Sequence, residues 1–134
     1  MSETEHLPFF FSEFQTAAFL AFARSVGTVV RYDEGQTIFA EEQAPHNMYV
    51  VLSGLVTVAR HDRRVETIGA GYAFGILSLL DEKPRAATVV ASTACELSRI
   101  DRKKFRYLVE EAPNFAWYVM NQLAERLRAT SAML

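Results

Sequence analysis

The sequence predicts a mainly β domain with flanking helices, on three observations. Short β-branched and aromatic runs recur from Thr28 to Ile100, separated by turn residues. Apolar residues at helical spacing stand before and after that stretch. The chain has 134 residues, enough for one compact core and one domain. The expected segments are a helical 1–27, a β region over 28–100 and a helical 101–134. Many short strands at this spacing fit an antiparallel sandwich, barrel or jelly roll.

The elements follow in order. Ser12 and Gln15 have capping-box spacing, and Phe14, Ala17, Ala18, Ala21 and Phe22 recur at helical spacing through about Val26. They predict a short N-terminal helix, preceded by an aromatic cluster at Phe9 to Phe11 that reads first as core packing. Strands are expected at Thr28–Tyr32, Gln36–Ala40, Met48–Ser53, Leu55–Arg60, Arg64–Ile68, Ala87–Ser92 and Cys95–Ile100. Alternation is clearest at Met48, Val50 and Leu52, with Tyr49, Val51 and Ser53 on the other face. Asp101 can cap a helix over Arg102–Glu110, and Pro113 interrupts before a longer helix from about Asn114 to the end. On that last helix Met120, Leu123, Leu127 and Leu134 make an apolar stripe, which must pack on the β domain, on a second copy, or on both.

Composition narrows the function classes. Half the residues are hydrophobic and the net charge is −2, so no global field draws the chain to nucleic acid or an acidic membrane. Glu3 and Glu5 stand where a secretory signal would carry basic residues, and the apolar run Ala17 to Ala23 is too short to span a bilayer. The single cysteine, Cys95, cannot form an internal disulfide and reads as a buried small hydrophobe; a cytoplasmic location is the expectation. His6, His46 and His61 are scattered, without the close His-x-His pair of a cupin metal site. No nucleophilic constellation is evident, and neither enzyme activity nor a required cofactor is expected. The basic run Arg99, Arg102, Lys103, Lys104 and Arg106, balanced by Glu110 and Glu111, reads as a solvated face.

The chemistry concentrates between Phe74 and Val90. Gly69, Gly71 and Gly75 permit positive φ and close backbone approach, and Ile76 to Leu80 can wind into one short helix. That helix would turn its first N–H groups toward an anion. Arg85, expected at the start of the next strand after Pro84, adds a fork of guanidinium donors around a space of phosphate size.

Gly35–Phe39, Met48–Gly54, Gly69-x-Gly71-x-x-Phe74-Gly75, Pro84–Val89 and Lys103–Phe105 stand in an order and spacing that resemble the cyclic-nucleotide-binding domain family, and within it the bacterial catabolite activators. The resemblance runs from about Val29 to the last residue. It implies a double-stranded β-roll (jelly roll) and a cassette for a cyclic phosphate, with cAMP or cGMP as ligand. Gly75, Arg85, Ala86 and Ala87 would hold the phosphate. Val58, Val65 and Leu77 would line the base side, and Thr130 and Ser131 would reach the base from the last helix. The family's Glu after the cassette glycine, which accepts the ribose 2′-hydroxyl, is Ile76 here. A hydroxyl left unpaired there costs about 1–3 kcal/mol, or one to two decades of affinity. Ala86 stands where some relatives have Ser or Thr, and Glu42 replaces a common turn glycine.

The resulting expectation is a non-enzymatic cyclic-nucleotide sensor with weakened ribose recognition, a homodimer through 114–134, lacking the helix-turn-helix that follows in relatives that regulate transcription. Two alternatives remain: a β-roll without nucleotide binding that serves dimerisation or protein contacts, and a haem- or metal-dependent sensor.

Overall fold

The computed structural model describes residues 13–61 and 63–131, with side chains within 17–128 except those of 62 and 65. Helix α1 (Glu13–Val26) leads into eight strands: β1 (Thr28–Tyr32), β2 (Thr37–Phe39), β3 (Asn47–Ser53), β4 (Val56–Arg60), β5 (Arg63–Ile68), β6 (Ala73–Phe74), β7 (Thr88–Ala91) and β8 (Cys95–Asp101). A short helix, α2 (Ile76–Asp81), lies between β6 and β7, and α3 (Arg102–Glu111) and α4 (Pro113–Ser131) follow β8. The strands form two antiparallel sheets, ordered β1-β8-β3-β6 and β2-β7-β4-β5. First pairs with last, second with seventh, third with sixth and fourth with fifth. That is a long hairpin rolled up on itself, a double-stranded β-roll with helices at both ends.

Strand β3 is the spine, and it is buried on both faces. Met48, Val50 and Leu52 face a core shared with α1, α3 and α4, whereas Tyr49 and Val51 face a second core between the sheets. The expected alternation is therefore present, but both of its faces are interior except at Ser53, which is exposed. Cys95 lies in the inter-sheet core, and burial pushes its thiol pKa up.

Helix α1 buries Phe19 and Ala23, with Leu20, Phe22 and Val26 packed alongside, while Ala17, Ala18 and Ala21 are exposed. Its alanines share the helical period, but the larger Phe19 ring, 4.2 Å from that of Tyr118, decides which face turns inward. The Ser98 hydroxyl on β8 donates to Ala23 O at 2.6 Å and fixes the helix end. Asp101 caps α3 by accepting from Lys104 N–H at 2.8 Å, as its sequence position predicts. Pro113 begins α4, where its missing N–H costs nothing. Phe9 to Phe11, Ser12 and the side chains of Phe14 and Gln15 lie outside the described residues.

Arg99, Arg102, Lys103, Lys104 and Arg106 are all exposed, and Arg106 pairs with Glu110 at 4.0 Å. His46 and His61 are likewise exposed. Among the described residues no helix is long and apolar enough to cross a membrane.

Glu42, standing at the turn-glycine position, has φ +73° and an exposed side chain. The left-handed conformation costs a non-glycine residue about 1–2 kcal/mol, against about 0.5–1 kcal/mol of extra chain entropy for glycine. Glu42→Gly should therefore raise stability by about 0.5–1 kcal/mol, read as a higher urea midpoint with unchanged slope.

Candidate functional site

Gly75 has φ +81° and opens α2, so the chain turns sharply from β6 into the helix. Arg85 lies three residues before β7 rather than on its first residue. Its own backbone explains the correction: its N–H donates to Gln43 O, and its carbonyl accepts from Glu42 N–H, each at 2.8 Å. These bonds pin Arg85 to the turn after β2 and send its side chain inward, where it is only 4% exposed. The guanidinium donates to Gly75 O at 2.9 Å and to Asn47 O, and it lies 4.0 Å from the Phe39 ring centroid. Burial lowers its pKa, but arginine's range leaves it charged. No acidic residue appears among these partners: two carbonyl dipoles and an aromatic face hold the cation.

Around this group opens a cavity of about 480 Å³, a size usual for small-molecule sites. Gly75, Ile76, Arg85, Ala86 and Ala87 line it, as do Val58 and Leu77, so these expected residues are brought together. Ile76 is a deep wall, 3% exposed, whereas Leu77 is 62% exposed at the mouth. The side chains of Val65, Thr130 and Ser131 lie outside the described residues.

Phe39, Phe74, Ser78 and Val89 also line it, and α4 adds Gln122, Leu123, Arg126 and Leu127. Sequence reasoning missed Gln122 and Arg126 in this role. The available signal is polar residues one turn apart, Tyr118, Gln122 and Arg126, on a helix judged by its apolar stripe. All three bind backbone on the open edge of β6 or in the turn just before it. Tyr118 Oη donates to Gly71 O at 2.8 Å, Gln122 Oε1 accepts from Ala73 N–H at 2.9 Å, and Arg126 Nη2 donates to Ala73 O. Burial pushes the Tyr118 pKa well up, keeping its hydroxyl a donor. Arg126 also approaches Glu66 at 3.7 Å.

Gln122 is 2% exposed, and its Nε2 is buried with no hydrogen-bond partner; an unpaired buried donor costs about 1–3 kcal/mol. The other such nitrogen among the described residues, Asn121 Nδ2, is not on the cavity wall.

The model of the cyclic nucleotide-binding domain matches residues 29–112. The chain belongs to that family. It is 36% identical over 99 residues to the cAMP-activated global transcriptional regulator CRP of Haemophilus influenzae, covering 70% of this chain and 44% of the relative. The Thermus thermophilus catabolite activator protein superposes with a TM-score of 0.76 at 31% identity, over 85% of this chain and 56% of that one. A solved protein of a cyclic-GMP-dependent signalling pathway that regulates bacterial phytopathogenesis gives 0.74 at 25% identity, over 84% of this chain and 94% of that one. The chain thus spans about half the length of the two activators. Gly75, Ile76 and Arg85 all lie within the span that matches the cyclic nucleotide-binding domain.

A Cβ on Gly75 would meet Arg85 Nη1 at 2.9 Å, in a conformation that already disfavours side chains. Gly75→Ala should destabilise the ligand-free protein by about 2 kcal/mol, measured as a lowered denaturation midpoint.

Proposed function

We propose that this domain is a sensor of cyclic mononucleotides, cAMP or cGMP, that regulates rather than catalyses. One observation carries the reading: a buried, charged Arg85 beside Gly75 at the floor of a largely apolar cavity. A buried cation bound only to neutral dipoles attracts an anion strongly, since a phosphate adds charge to the hydrogen bond. Gly75, Ala86 and Ala87 leave room for the phosphate, and Val58 and Leu77 offer an apolar side to the base. Ile76 itself offers the sugar no acceptor, and Ser78 is the polar side chain that α2 puts on the wall. The names of the relatives, which include cAMP and cyclic GMP, support the ligand class. The lone, buried cysteine suits a reducing cytoplasm.

In this mechanism the phosphate competes with Gly75 O and Asn47 O for Arg85, and α2 and α4 close over the ligand. Calorimetric titration with cAMP and cGMP tests it. Arg85→Ala should weaken binding ten- to a hundredfold or more, and Ile76→Glu should tighten ribose-containing ligands by about one to two decades. No heat up to millimolar ligand from folded protein would sink the sensor reading.

A homodimer through α4 belongs to the same proposal. The stripe expected at Met120, Leu123 and Leu127 divides between two faces, because Leu123 packs toward the core and lines the cavity. Leu134 lies outside the described residues. The outward seam is Trp117, Met120, Ala124 and Leu127, at spacings of three, four and three, and all four are exposed. Such a/d spacing suits a second copy of the same helix across a twofold axis. Met120→Glu should shift the sedimentation coefficient from dimer to monomer; a wild-type monomer at high micromolar concentration would refute the dimer.

A further inference from the structure

The Ile76 wall raises the question of what, in this chain, meets the sugar edge of a nucleotide. Gln122 is the neutral polar side chain that α4 contributes to the cavity, and it is held in place from one end only. Its Oε1 is committed to Ala73 N–H, three residues before Ile76, which sets its amide orientation: Nε2 is then the end left over. That donor is buried and unpartnered, and its residue lines the cavity; a ligand oxygen reaches it once α4 shifts on β6. Gln122 and Ile76 are about equally deep, at 2% and 3% exposure, whereas Leu77 and Leu127 at the mouth are more than 60% exposed. A ligand whose phosphate sits on Arg85 and whose base leans on Val58 and Leu77 sets its sugar between these depths.

We infer that Gln122 reads the sugar: its Nε2–H donates to the ribose 2′ oxygen, moving the recognition of that hydroxyl from α2 to α4. The inference rests on the proposed function. A carboxylate on α2 would accept the hydroxyl's proton. An amide on α4 instead supplies a donor to the oxygen, so the contact forms and breaks with the position of α4 on the edge of β6. The same carboxamide thereby joins the ligand, through Nε2, to the backbone that leads into Gly75, through Oε1.

The test compares cAMP and cGMP with their 2′-deoxy analogues by calorimetry on the full chain. The wild type should prefer the ribose form by about tenfold, roughly 1.4 kcal/mol, and Gln122→Met should remove that preference. Tyr118→Phe, which loosens the same helix contact without lining the cavity, should leave the ratio unchanged. A second readout needs no variant: the Gln122 carboxamide protons should shift and exchange more slowly with the ribose ligand than with the deoxy ligand. Binding with an unchanged ribose-to-deoxy ratio in Gln122→Met, or carboxamide signals that respond equally to both ligands, overturns the inference and spares the sensor reading. Absence of binding to the wild type overturns both.

Discussion

Strand β6 closes one sheet and leaves backbone groups on an open edge inside the protein, where each must find a partner. Helix α4 supplies them with Tyr118, Gln122 and Arg126. Tyr118 takes the carbonyl of Gly71 in the turn before β6, and Gln122 and Arg126 take the N–H and carbonyl of Ala73 on β6 itself. Much follows from this register. It aims the inner face of α4 at the cavity, turns Trp117, Met120 and Leu127 outward, and makes the cavity a space between helix and roll rather than a hole within either.

The electrostatic design of the cavity is lean. Arg85 is desolvated and balanced by carbonyls and a ring rather than by a carboxylate. Such a group holds the fold together and also keeps most of its attraction for an incoming anion, because no opposing charge must be displaced. Its carbonyl partners come from Asn47 at the start of β3 and from Gly75 at the start of α2. Recruiting the guanidinium to a phosphate therefore changes what fastens α2 to the spine of the roll.

Local chemistry made much of this legible in the residues. Regular alternation of β-branched runs and turns located seven of the eight strands, and Asp101 and Pro113 marked the starts of α3 and α4. Strand β6 escaped because two residues are too few to alternate; it exists through its partners, β3 on one side and α4 on the other. The apolar stripe on α4 left its partner open, because Leu123 shares a helical period with both faces and only packing distinguishes them. On α1 the period located the helix, while Phe19 rather than Ala17, Ala18 or Ala21 sets its buried face. Arg85 was recognised by its neighbours, yet its place before β7 depends on bonds to Glu42 and Gln43, some forty residues away. Gln122 had only the weak signature of its one-turn spacing from Tyr118 and Arg126, since an amide on a helix is ordinarily a surface residue.

These observations converge on Ala73. Its N–H belongs to Gln122 and its carbonyl to Arg126, both cavity-lining residues on α4, and two residues later the chain reaches Gly75, whose carbonyl belongs to Arg85. Three side chains on the cavity wall thus grip three backbone groups within residues 73–75. Any ligand that recruits one of those side chains alters the same short segment, whichever side chain it touches. On the proposed reading, coupling between cavity and helix needs no long pathway: a ligand on Arg85 and Gln122 would bear directly on the segment from β6 into α2. The outward seam of α4 is part of the same rigid helix, so a change of tilt or register on β6 would also move the Trp117–Leu127 surface.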